Sequence, residues 1–162
     1  MINTLKNLVT SALAIQANRS IDVAFNFSVL IDDGQIGDFM AVEGLTRSVK
    51  PYDYQEGGKN DGPRRLQGEA SWGDVVLKSG YMNLSYLYDW ANKVENNGDF
   101  RREVVIMQQT RNGKPLRVYA LSGAWPLEWK TQNLDSGNSN VPVEEVKLAV
   151  DSITLVVTDL PE

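Results

Sequence analysis

The sequence predicts a mainly β fold: a two-sheet sandwich or small barrel with one short flanking α-helix and an N-terminal helical extension. Three observations lead there. Eight or nine segments read as strands, separated by turns rich in Gly, Asn and Asp. A single internal segment, around residue 90, switches to helical spacing. Strand and helix signals never alternate as βαβ units, which argues against a doubly wound or P-loop core.

At 162 residues the chain can bury one self-sufficient core. Two parts are expected: a helical extension over 1–20 and a single β domain over 21–162. In the extension, Leu5, Leu8, Val9, Ala12 and Gln16 follow helical spacing, and Leu13 widens the apolar stripe. Thr10, Ser11 and Gln16 interrupt the run that a secretory leader would need. The segment therefore reads as an amphipathic helix docked on the body or on a neighbour, with a frayed tail as the alternative.

In "VAFNFSVLI", Val23, Phe25, Phe27, Val29 and Ile31 alternate with Ala24, Asn26, Ser28 and Leu30, which predicts a strand with one face in a core. Asp33-Gly34 suits a tight hairpin into "IGDFMAVEGL". "TRSVKPYDYQ" reads as a third strand, with Pro51 at an edge, bulge or bend. A glycine-rich stretch follows, then the strand "WGDVVLKSG". The helix spans "NLSYLYDWANKV": Leu84, Leu87, Tyr88, Ala91 and Val94 form its stripe, Trp90 lies beside it, and Asn83 caps it. "RREVVIMQQT" and "KPLRVYALSG" are strands around Asn112-Gly113, and "AWPLEWK" is a further short strand. In the last apolar run the phase shifts between Val146, Leu148, Val150 and Ile153, Leu155, Val157. That requires a bulge near Asp151 or Ser152, or two separate strands.

Composition removes several function classes. With no Cys and no His, there is no thiolate chemistry, no His- or Cys-built zinc site and no Ser-His-Asp arrangement. A formal charge of -5 argues against nonspecific nucleic-acid binding as the main task. The charge is uneven: residues 1–20 carry Lys6 and Arg19 and no acid, whereas residues 134–162 carry six acids and only Lys147. No run is long enough to span a bilayer, so no stable membrane binding is expected. A phosphate loop fails because Gly58-Lys59 is followed by Asn60, and the next element reads as extended. The candidate acid/base carboxylates Asp32, Asp33, Asp38, Glu43, Asp53 and Glu56 fall mostly at turns or on polar faces, and nothing signals a raised pKa. No cofactor, metal or catalytic residue is assigned. The aromatics Trp72, Trp90, Trp125, Trp129, Tyr81, Tyr86 and Tyr88 suit a core or an interface better than a sugar platform. Trp125 and Trp129, four apart, are expected on one strand face.

The order of motifs resembles the tail tube protein family of contractile-tailed bacteriophages, which includes inner tube proteins of extracellular contractile injection systems. The resemblance runs from about Phe25 to Leu155. "FNFSVLIDDGQIGDF" resembles the opening hairpin, "VEGL" the family's Val-Ser-Gly-Leu, and "YQEGGKN" its Tyr-Arg-Glu-Gly-Gly-x-Asn. "RLQG" with "WGDVVLKSG", "LYDWANKV", the segment "RREVVIMQQTRNGKPLRVYALSGAWPLEWK" and "SNVPVEEVKLAV" follow in the family's order. Glu43, Gln67, Asp74 and Gly123 depart from it, standing where Ser, Pro, Asn and Asn are usual.

The resemblance implies a tail-tube-like sandwich whose copies form hexameric rings stacked into a hollow inner tube. A sheath protein would lie outside, baseplate and terminator proteins at the ends, and DNA or protein cargo, with a tape-measure protein, in the lumen. It implies assembly in the bacterial cytoplasm into a phage tail or an injection particle; a cap or tube-to-baseplate adaptor of the same fold is the alternative. Glu56, Gly57, Gly58, Lys59, Asn60, Asp61, Gly62, Pro63, Arg64 and Arg65 are then expected to form a loop reaching a neighbouring subunit and the next ring. Tyr54, Trp72, Trp90, Trp125 and Trp129 are expected as packing supports.

Overall fold

The computed structural model describes residues 7, 9–11, 14, 27–32, 34–55, 62–82, 84–110, 115–131 and 144–156. The elements are β1 (Phe27–Ile31), β2 (Gly34–Glu43), β3 (Arg47–Tyr54), β4 (Arg64–Trp72), β5 (Val75–Met82), α1 (Leu84–Glu95), β6 (Arg102–Gln109), β7 (Pro115–Thr131), β8 (Glu144–Ala149) and β9 (Ser152–Val156). Residues 7, 9–11 and 14 are helical, as the extension's spacing predicts. Asn83, Asn112 and Gly113 lie outside the described residues, as do 21–26.

The pairings are antiparallel throughout. The large sheet runs β6-β1-β2-β5-β8-β7-β9, and β6 also pairs with β7, so six strands close on themselves. Closure removes the exposed edges that an open sheet would leave. β8 and β9 lie end to end along one edge of β7, because Ala149↔Trp125 and Ser152↔Ser122 share one register. The phase shift at the C-terminus is thus resolved as two strands, broken where the Asp151 N–H donates to the Ser122 carbonyl at 2.9 Å. The remaining two strands, β3 and β4, form a separate sheet.

Inside the closed sheet, Val29, Phe39, Leu77, Ile106, Leu121 and Leu148 form the core, and α1 adds Leu87 and Trp90 to it. The Trp90 Nε1–H donates to the Phe100 carbonyl, so the indole is buried without an unpaired polar group. Trp90 is buried, as its expected role of packing support requires, but Tyr88, placed on the apolar stripe, is exposed. The large indole, rather than the amphipathic phenol, takes the covered position.

Four further expectations are corrected. β1 was expected to bury one face only, yet Leu30 is 1% exposed. It packs with Val105, Met107 and Val118 beneath Val9 of the N-terminal segment, with Val156 beside them. Gly34, expected in the tight turn, already pairs with Ile31, and Asp32 takes a positive φ of 45°, while Asp33 lies outside the described residues. The strand expected from Trp72 begins at Val75, and Arg64 to Trp72 form a strand of their own. "KPLRVYALSG" and "AWPLEWK" are one 17-residue strand, β7. Register shifts absorb Gly123 (φ 64°) and Pro126 within it.

Because Val9 fills a seat on the outside of the barrel, Val9→Asp should undock the segment. Stability to urea should fall by about 2 kcal/mol, the worth of burying one aliphatic side chain. An unchanged unfolding midpoint would show that the segment contributes nothing to the subunit.

Candidate assembly interface

β2 does not end at Glu43 so much as bend there. Gly44 takes φ 80°; the Thr46 carbonyl then accepts the Gly73 N–H at 3.0 Å, and pairing resumes at Arg47↔Trp72. β3 and β4 thereby continue the β2–β5 pair outward as an arm. Eight residues of strand reach about 27 Å. Every residue of β3 is exposed, as are most of β4. A register shift between Val49 and Pro51 accommodates the missing proline N–H, as the edge or bulge expectation for Pro51 requires.

The register sorts the arm's two faces. Tyr52 pairs with Leu66 and Tyr54 with Arg64, so these four share one face. Tyr52 is 61% and Tyr54 47% exposed. The opposite face carries the Asp53–Arg65 ion pair at 3.5 Å and, toward the root, Trp72 beneath the Arg47 guanidinium at 5.3 Å. Trp72 is half-buried against the core.

Of the ten predicted loop residues, Glu56, Gly57, Gly58, Lys59, Asn60 and Asp61 lie outside the described residues. Gly62 and Pro63 are exposed just before β4, with Gly62 at φ 101°. Arg64 and Arg65 are strand residues, not loop residues. Of the predicted supports, Trp90 is buried and Trp125 packs on the core with Phe100 edge-on at 5.8 Å between ring centroids. Tyr54 and Trp129 are exposed. The register shift between Pro126 and Glu128 breaks the simple alternation that would put Trp125 and Trp129 on one face. Sequence reasoning gave no weight to Tyr52 and Leu66, because the apolar residues of this arm sit among charges without a core-like pattern.

The outer side of β2-β5-β8-β7 is a checkerboard of charge. Lys78 lies opposite Glu145, which lies opposite Lys130, and in the next row Lys147 lies opposite Glu128. Lys78 also contacts Glu43 at 2.8 Å, Lys147 meets Asp74 at 3.1 Å, and Lys130 meets Glu128 at 3.2 Å. The hydrogen bond to Glu43 holds the Lys78 ammonium above its usual pKa, with the Glu43 and Glu145 charges adding to it. The candidate carboxylates are similarly engaged: Asp32 with Arg102, Asp38 with Ser28, and Asp53 with Arg65. Among the described residues no group of three or more Asp, Glu, His or Cys is placed to hold a metal ion, and no helix is long and apolar enough to cross a membrane. Burial raises the Tyr86 phenol, with Asp32 adding to the shift and Arg102 opposing it.

Residues 23–154 match the family model described as T4-like virus tail tube protein gp19. No curated protein matches the chain. Among solved structures, the chain is similar to one in the PVC sheath-tube complex of an extracellular contractile injection system in its extended state. That match has 22% identity and a TM-score of 0.68, covering 90% of this chain and 97% of the other. A chain of the six-fold symmetrised anti-feeding prophage baseplate gives 24% identity and 0.64, with 88% and 99% covered. A chain of the anti-feeding prophage tube-terminating cap gives 20% and 0.67, with 87% and 93% covered.

Proposed function

The chain belongs to the T4-like virus tail tube protein family, and from that premise we propose that it is the repeating structural subunit of the inner tube of a contractile tail or injection system. Copies form hexameric rings that stack around a lumen carrying DNA or protein. The observation that carries this reading is the arm: two strands with exposed apolar side chains and, among the described residues, no partner but each other. The outer edge of β9 is likewise unpaired among the described residues. Unpaired edges and a projecting apolar hairpin are what a self-assembling strand protein completes with its own copies. A heterologous contact closes into a ring, and contacts on the ring's two faces propagate. The similarity to a six-fold symmetrised baseplate supports the ring number.

The paired charges on β2-β5-β8-β7, four acids against three lysines, supply a wetted wall of nearly balanced charge with little to trap cargo. A sheath protein outside, with baseplate and terminator proteins at the ends, are the partners this role requires. Assembly takes place in the bacterial cytoplasm, and the product is a phage tail or an injection particle. A cap or adaptor role is the second reading, because the cap chain matches about as well as the sheath-tube chain. Long polymers on negative-stain grids favour the tube subunit, and single rings favour the cap.

Deleting Gly58–Pro63 tests the arm. The shortened protein should remain folded by circular dichroism but yield no long tubes in electron micrographs. Tubes of ordinary length from the deletion would sink this assignment.

A further inference from the structure

A notch lies where α1 packs against β7. Ser85, Tyr88, Asp89 and Trp129 line it, with a volume of about 430 Å³. Tyr88 and Trp129 belong to the exposed large apolar side chains, although the helix makes its core contact through Leu87 and Trp90. Asp89 has no hydrogen bond or ion pair among the described residues. A carboxylate beside two aromatic side chains suits a cation: the carboxylate supplies charge, and the ring faces supply cation–π attraction. A guanidinium fits better than an ammonium, since it is planar, stacks on rings and bonds a carboxylate in two places.

The complementary group is on the same chain. Arg64 forms no ion pair among the described residues, whereas its neighbour Arg65 is held by Asp53. Arg64 shares its face with Tyr54, Tyr52 and Leu66, so it is a cation set in an apolar row. Within one subunit the arm's main packing, among the described residues, is between its own two strands. We infer that the notch of one copy receives Arg64 from the arm of a second copy, with Asp89 accepting from the guanidinium and Tyr88 and Trp129 stacking on it. This contact joins two different surfaces and so repeats from copy to copy. It rests on the proposed role of the arm in assembly and names the surface on which the arm lands.

A charge swap tests it. Asp89→Arg and Arg64→Asp are each expected to lower pelletable polymer at least about tenfold, since like charges facing across a contact are strongly unfavourable. The double variant should recover it, and thermal melts of each should match the parent because both sites are exposed. Parental polymer yield from both single variants, or no recovery in the double, overturns the pairing. Should D89R fail to fold, R64D and Trp129→Ala decide. A double no worse than its worse single supports a shared contact; losses that multiply overturn it. Polymers that need the arm but ignore Asp89 and Arg64 defeat only this inference, whereas polymers formed without the arm defeat the reading beneath it.

Discussion

Replacing Gly44 with alanine should lower stability by about 3 kcal/mol and the melting temperature by about 6–12 °C for a domain of this size. Two independent costs combine. Gly44 sits at φ 80°, where an L side chain is strained. A Cβ there would also lie 1.9 Å from the Asp74 carbonyl oxygen and 3.0 Å from its carbon. Both obstacles are backbone, so no rotamer change relieves them. Relief requires moving Asp74, which immediately precedes β5 and holds Lys147. The damage falls at the root of the arm, so assembly should suffer along with stability. Gly62→Ala is the matched control. Gly62 also has a positive φ, 101°, but nothing lies within 4 Å of its added Cβ. It should lose only the backbone part, about 1–2 kcal/mol. Equal losses at both glycines, read by differential scanning calorimetry, would show that the close approach at the root is not what Gly44 is for.

What the sequence disclosed follows from where each segment meets water. β1, β2, β5 and β6 were legible because one side of each meets the core, as with Val29, Phe39, Leu77 and Ile106. β4 was not, because "RRLQGEASW" is exposed almost throughout and a strand wetted on both faces has no period-2 signal. β7 was divided because Gly123 and Pro126 are the usual marks of a strand end, yet here bulges absorb them. Leu30 was assigned to the outer face because local alternation cannot reveal that another segment, carrying Val9, covers that face. The helix and the packing of Trp90 were legible, but Tyr88 was assigned to the covered stripe because helical spacing alone cannot tell which of two neighbouring aromatics stays in water. The interface was legible only in part. Glycines and charges marked the arm's tip, whereas Tyr52, Leu66 and Asp89 gain their meaning from strand pairing and from the neighbouring β7, which are not local properties.

Trp90 and Trp129 separate a residue that holds the subunit together from one that is available to another copy. Trp90→Ala should cost about 3–5 kcal/mol, the usual range for deleting a buried large aromatic side chain. The indole is 2% exposed, lies in the central core cluster with Leu87, and faces Tyr86 at 6.3 Å between ring centroids. Its removal also leaves the Phe100 carbonyl without the indole donor. Trp90→Phe should recover most of the apolar packing but not that hydrogen bond, and so retain a deficit of about 1 kcal/mol. Trp129→Ala offers the opposite expectation. With 38% of its surface exposed beside the notch, its loss should cost the subunit clearly less than loss of Trp90, about 1–2 kcal/mol. Its larger effect should fall on polymer yield. Urea titrations of the dissociated subunit, set beside sedimentation of the assembled protein, read the two quantities independently. A Trp129 variant that melts as early as Trp90→Ala, or a Trp90 variant that folds normally and fails only in assembly, would reverse the division of labour that the burial of these two indoles implies.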